Sequence, residues 1–223
     1  MKILTLLAIA VLTASIIWLA YYINKKQREA LLALAASLGW AAVPDASALY
    51  GYIPKSLQNQ GIRQYCDDGF SLKIGTVDAI IFTYTYVTEE TTTDANGMTT
   101  THEQNHTHTL LCFADTKAVG EMHIHKRGFM RLGHEFFYQG QKRLSLEGDF
   151  NKYFDVFVPE GEQIEGLEVL EPTVMEVILD SGKDYSIDVY QGNLWIIADN
   201  NCINKKAVPP LLAYAQLLLS KIN

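Results

Sequence analysis

The stretch "AIIFTYTYVTEETTTDANGMTTTHEQNHTHTLLCF", Ala79 to Phe113, constrains this chain most. Its first part alternates with a period of two. Ile80, Phe82, Tyr84 and Tyr86 fall on one face, and Ile81, Thr83, Thr85 and Val87 on the other. β-Branched and aromatic residues at that density and period make strands, because a pleated backbone sends successive side chains to opposite faces. Asn96-Gly97, at the centre of a threonine-rich tract, supplies turn chemistry, so the segment predicts a long antiparallel hairpin with "NHTHTLLCFA" as its return strand. A chain containing such a hairpin must build an antiparallel sheet around it.

The rest of the chain supplies partners for that hairpin. "FSLKI" leads into the first strand, and "EMHIHK", "HEFFYQG", "KRLSLEG" and "NKYFDVFVPEG" read as shorter strands. "EQIEGLEVLEPTVMEVILDSG" reads as two short helices divided by Pro172, the second running into Gly182. "DYSIDVYQGNLWIIAD" reads as two strands joined around Gln191-Gly192, with Tyr185, Ile187 and Val189 opposite Leu194, Ile196 and Ala198. A final helix follows Pro209 and Pro210. The fold class is therefore α+β: one mainly antiparallel sheet domain with two short helices and a C-terminal helix.

Upstream, "ILTLLAIAVLTASIIWLAYYI", Ile3 to Ile23, carries no charge and lies between Lys2 and "NKKQR". At about 1.5 Å per residue it would span roughly 30 Å, which predicts an uncleaved membrane-spanning helix with Trp18, Tyr21 and Tyr22 at one interface. The expected organisation is an anchor over 1–24, a juxtamembrane helix ending at Gly39 plus a linker over 25–69, and an α+β domain over 70–223. Lys25, Lys26 and Arg28 outnumber Lys2, and the three cysteines form no C-x-x-C pair. Both point to a single-pass protein with its domain facing the cytoplasm; the opposite orientation stays open.

The formal net charge is −7, and the only charged residues up to Arg28 are four cations, so the chain from Glu29 onward carries −11. With no basic, aromatic-laced patch, nucleic acid is not an expected partner. The expected partners are the lipid bilayer and a protein held at it.

Chemistry rests on six histidines. On a strand, residues two apart share a face, so His106 and His108 point together, as do His123 and His125. If those strands were neighbours with matching faces, the four imidazoles could converge as a zinc site, with His134-Glu135 as a supporting pair. Against that stand His125's neighbours Lys126 and Arg127 and the bland alternative of a solvated, pH-responsive face. Nucleophile motifs are missing: no G-x-S-x-G, no phosphate-binding glycine loop and no dinucleotide fingerprint occur. Cys66 lies beside Asp67 and Asp68, which disfavour a thiolate, while Cys112 and Cys202 sit in apolar strand settings. Asp67-Asp68 and Glu89-Glu90 read as solvated turn ends. The abundant aromatic residues could line a ligand groove, though they more often form a sheet core.

The order of apolar helix, "REALLALAASLGW", β-rich middle and "LEGDFNKYFDVFVPEGEQIEGLEVLEPTVMEVILDSGKDYSIDVYQGNLWIIA" resembles a family of small bacterial single-pass membrane-anchored proteins of unknown function. The resemblance is most distinctive from Leu146 to Ile197. It implies a bacterial, membrane-anchored α+β domain, hence a single-pass inner-membrane placement, and no catalytic residues. The function read from the sequence is a membrane-anchored, non-enzymatic interaction or accessory module. The alternatives are a metal-dependent enzyme or metal sensor using His106, His108, His123 and His125, and a small-ligand-binding domain.

Overall fold

The computed structural model describes residues 2–93, 96–114, 116, 120–127, 140–146, 148–199 and 203–222, the side chains of 2–11, 24 and 165 excepted. The chain divides into two compact units, Met1–Gly39 and Trp40–Asn223. The first unit is one helix, α1 (Lys2–Ser37), rich in alanine and leucine. It stops at Gly39, whose φ of +71° is open to glycine and costly for other residues. Trp18 stacks on Tyr22 one turn later at 5.5 Å, and Lys26 lies 5.3 Å from the Tyr22 ring.

The expected membrane-spanning helix, and with it the single-pass inner-membrane placement and its cytoplasmic orientation, is corrected by this structure. Among the described residues no helix is long and apolar enough to cross a membrane.

Among the described residues the second unit is built on a single nine-stranded sheet. Its strands are β1 (Ala41–Ala42), β2 (Arg63–Ile74), β3 (Val77–Thr93), β4 (Thr99–Phe113), β5 (Met122–Lys126), β6 (Gln141–Leu144), β7 (Phe154–Pro159), β8 (Tyr185–Tyr190) and β9 (Asn193–Asp199). They lie in the order β1-β2-β3-β4-β9-β8-β5-β7-β6, and every neighbouring pair is antiparallel. The helices are α2 (Phe150–Tyr153), α3 (Gln163–Val169), α4 (Pro172–Ser181) and α5 (Val208–Ile222). The α+β class and the antiparallel sheet are as the sequence predicts.

The long hairpin expected around Asn96-Gly97 is present, with Thr93 opposite Thr99 and Ala79 opposite Phe113. The β8–β9 pairing also matches: Ile187 faces Ile196 and Val189 faces Leu194. The segment read as linker differs. It holds two 3-10 helices (Ala46–Tyr52 and Lys55–Leu57), and β2 begins at Arg63. The expected strand "HEFFYQG" lies outside the described residues, apart from Gly140.

Each face of the sheet has its own cover. One face carries Ile81, Leu111, Ile187, Ile196, Ile124 and Val156, all fully or nearly fully buried. There Tyr214 of α5 stacks on Tyr185 at 5.0 Å, and Gly166 of α3 sits against Val158. The other face carries Phe82, Tyr84, Leu110, Cys112, Trp195 and Ile197, and the 3-10 segment packs on it through Leu49, Ile53 and Leu57. Polar ties hold that segment in place: Tyr84 donates its hydroxyl to the Leu57 carbonyl (2.8 Å), and Trp195 Nε1 donates to the Tyr52 carbonyl (2.8 Å). Gly61, at φ +66°, lets the chain pass so close to β3 that a Cβ there would lie 2.1 Å from the Val87 carbonyl oxygen. No other residue fits at that point.

Candidate functional site

The site grows from the pairing of β5 with β8. His123 stands directly opposite Asp188, so both side chains rise from the same face, and His125 follows two residues on. His123 Nδ1 lies 3.0 Å from Asp188 Oδ1, and His125 Nε2 lies 3.0 Å from the same oxygen. The three ligand-type atoms all fall within 4.8 Å of one another. None of the three residues is more than 1% exposed. Beneath the 3-10 segment, the Ser56 hydroxyl donates to the other carboxylate oxygen, Asp188 Oδ2.

A second ring of polar groups surrounds this cluster. His123 Nε2 lies 3.4 Å from Glu121 Oε1, which also accepts from Lys55 Nζ (2.9 Å) and Gln141 Nε2 (2.6 Å). Hydrogen bonding to His123, helped by Lys55, holds the Glu121 carboxyl down at about 2. Burial alone would pull the His123 imidazole down, but the anions of Asp188 and Glu121 outweigh it and push His123 up to about 9. Burial likewise works against the Asp188 carboxylate, and the two imidazoles win, holding it well below the usual carboxylate range. The cluster is thus a buried anion shared between two rings, at least one of which takes a proton near neutral pH when no other cation is there.

The sequence expectation of four converging histidines meets a mixed outcome. His106 and His108 do share the sheet face of His123 and His125, since His108 lies opposite Asp199 and Cys112 opposite Trp195, which in turn faces Asp188. The strands, however, are not neighbours. β9 and β8 stand between β4 and β5, so the pairs are at least three strand spacings apart, on the order of 14 Å. His106 instead stacks on Tyr86 at 4.7 Å, with its Nε2 2.8 Å from the Thr88 hydroxyl. His108 Nδ1 lies 3.2 Å from Asp199 Oδ1. Of the predicted ligands, only His123 and His125 meet; His134 and Glu135 lie outside the described residues.

Two details differ from what neighbouring letters suggest. His108 is buried rather than wet, 4% exposed, because β9 continues alongside it to Asp199. Of the cations beside His125, Lys126 points to the other face of the sheet, while Arg127 is paired to Asp155, the residue directly opposite His125. Lys126 Nζ reaches Asp184 at 3.3 Å, and Arg127 Nε reaches Asp155 at 3.4 Å. The inert reading of the thiols holds for the two described ones: burial pushes both Cys66 and Cys112 up to about 12, with Asp67 adding to the shift at Cys66. Cys202 lies outside the described residues.

Asp188 and Ser56 are the residues that sequence reasoning missed. For Asp188 a signal existed: its partner strand "LWIIA" is apolar on both faces, as in the middle of a sheet, so an acid paired against it must be buried. Nothing comparable marks Ser56, which reaches the site from a 3-10 turn 132 residues away in the chain. No protein family, curated protein or solved structure matches this chain.

Proposed function

We propose that the Trp40–Asn223 unit is a non-enzymatic interaction module that engages a basic protein surface through the outer end of the β3–β4 hairpin. One observation carries this reading: the hairpin outgrows its sheet. Among the described residues, β2 pairs with β3 only as far as Val87, and β9 pairs with β4 only from His108 inward. Beyond those points the two strands continue as a ribbon to Thr93 and Thr99. Residues 89–93 and 99–105 are exposed on both faces.

Such a ribbon offers backbone donors and acceptors along two edges that no other strand covers among the described residues, a surface suited to strand addition. Its charge is one-sided. Glu89, Glu90, Asp94 and Glu103 lie between Thr88 and Gln104 with no lysine or arginine. Glu89 and Glu103 stand directly opposite each other; Arg63 of β2 pairs with Glu103, and Glu89 and Glu90 remain exposed anions for a basic partner. The closed state of the buried cluster and the raised thiols also favour binding over catalysis.

The test is site-specific photo-crosslinking in the cells that make the protein. A crosslinker at Thr92 is expected to capture one protein. Excision of Glu90–Thr93 together with Thr99–His102, which removes register-matched blocks, should abolish capture by a probe moved to Thr88, and so should reversal of Glu89, Glu90 and Glu103 to lysine. Capture that survives both changes contradicts the reading, as does capture of nothing at all.

A further inference from the structure

We propose that His123 Nδ1, His125 Nε2 and Asp188 Oδ1 form a binding site for one divalent transition metal of the zinc class. Two imidazoles aimed at a single carboxylate oxygen at 3.0 Å form the edges of a coordination polyhedron that is nearly closed. Zinc bonds of about 2.0–2.1 Å at tetrahedral angles need ligand atoms about 3.3 Å apart, so an ion is accommodated if the two nitrogen–oxygen edges open by a few tenths of an ångström and the two nitrogens, within 4.8 Å of each other, settle at that spacing. Two nitrogens and one carboxylate suit zinc or ferrous iron rather than calcium or magnesium, which take mainly oxygen. A fourth position is left for water.

The surroundings are those of a supported metal ligand set. Glu121 accepts from the far nitrogen of His123, which turns Nδ1 inward, and Glu121 is itself fixed by Lys55 and Gln141. Ser56 occupies Asp188 Oδ2 and so leaves Oδ1 for the ion. The opposing account is that a proton alone satisfies the cluster, with a protonated His123 paired to Asp188. A metal would displace that proton, and the two accounts part on whether metal is taken up. The proposal stands apart from the ribbon and its partner.

The full chain, stripped of metal with chelator and refolded from urea in the presence of zinc chloride, is assayed for bound zinc and for melting temperature. Refolding with the metal removes any barrier posed by the segment that covers the site. One zinc per chain is expected, with a raised melting temperature. Cobalt in its place should give the intense visible absorption of a four-coordinate ion. His125→Ala should weaken zinc binding by more than about 100-fold and Glu121→Gln by about 10- to 100-fold, while His106→Ala leaves it unchanged. Because the cobalt spectrum of the unaltered protein is read first, a variant that fails to fold does not blunt the test. Absence of zinc uptake and cobalt absorption in the unaltered protein overturns the proposal. So does zinc that persists in His125→Ala and is lost in His106→Ala.

Discussion

Two His-x-His strands lie on one face of one sheet and end in opposite electrostatic states. In β5, His123 is pushed up to about 9 by the anions around it. In β4, burial and the neighbouring His108 pull His106 below its ordinary value, with Glu90 only partly opposing them. The motif is the same and both pairs adjoin an aspartate. What differs is position in the strand order. β5 lies beside β8, whose Asp188 is fully buried beneath the 3-10 segment, whereas β4 meets β9 at its end, where the Asp199 side chain is 18% exposed. A carboxylate without water depends on its imidazoles for compensation; one at the rim does not.

The sharpest way to break this comparison is to remove each anion in turn. Asp188→Asn should cost about 3–5 kcal/mol in urea unfolding, because it leaves two buried rings without their shared partner. Asp199→Asn should cost about 1 kcal/mol, as expected for a polar pair with one foot in water. Equal losses would erase the distinction drawn between the two pairs.

Titration comes next. His123 has a folded value raised above its ordinary 6.5, so its contribution is fully present below about 6.5 and is lost as pH rises through about 9. Its surroundings are His125 on its own strand, Asp188 on the adjoining β8, Glu121 and Lys55 beside it, and Asp155 of β7 with its partners Arg143 and Arg127. Metal-free protein should therefore lose up to about 3 kcal/mol between pH 6.5 and 9. His123→Gln should flatten that slope. His106, with a lowered value, works the other way: protonating it as pH falls below its ordinary value disfavours the fold.

Smaller effects refine the contrast. Ser56→Ala should cost about 1–2 kcal/mol by stripping Asp188 Oδ2 of its donor, with no change at His106. Shortening the ribbon by Glu90–Thr93 and Thr99–His102 should alter stability by under about 0.5 kcal/mol, since those side chains are exposed, and should leave the titration of His123 untouched.

Much of the fold could be read from periodicity. Alternation in "IIFTYTYV", the Asn96-Gly97 turn and the facing Ile187 and Ile196 all concern strands adjacent in sequence, where local chemistry sets the register. The candidate site could not be read that way. It depends on β5 entering beside β8 rather than β4, a choice made by packing over the whole sheet, and on a 3-10 turn delivering Ser56 from far upstream. Of the two cations next to His125 in sequence, Lys126 lies on the other face, because adjacency in sequence is not adjacency on a pleated strand, and Arg127 pairs with Asp155 opposite His125.

The most direct test of the account is an imidazole-resolved NMR titration of the histidines, run on metal-free protein and repeated with one equivalent of zinc. The account predicts that His123 titrates near pH 9 and His106 below 6.5, and that zinc moves only the His123 and His125 rings. A zinc response shared by His106 and His108, or an ordinary titration of His123 near 6.5, would contradict it.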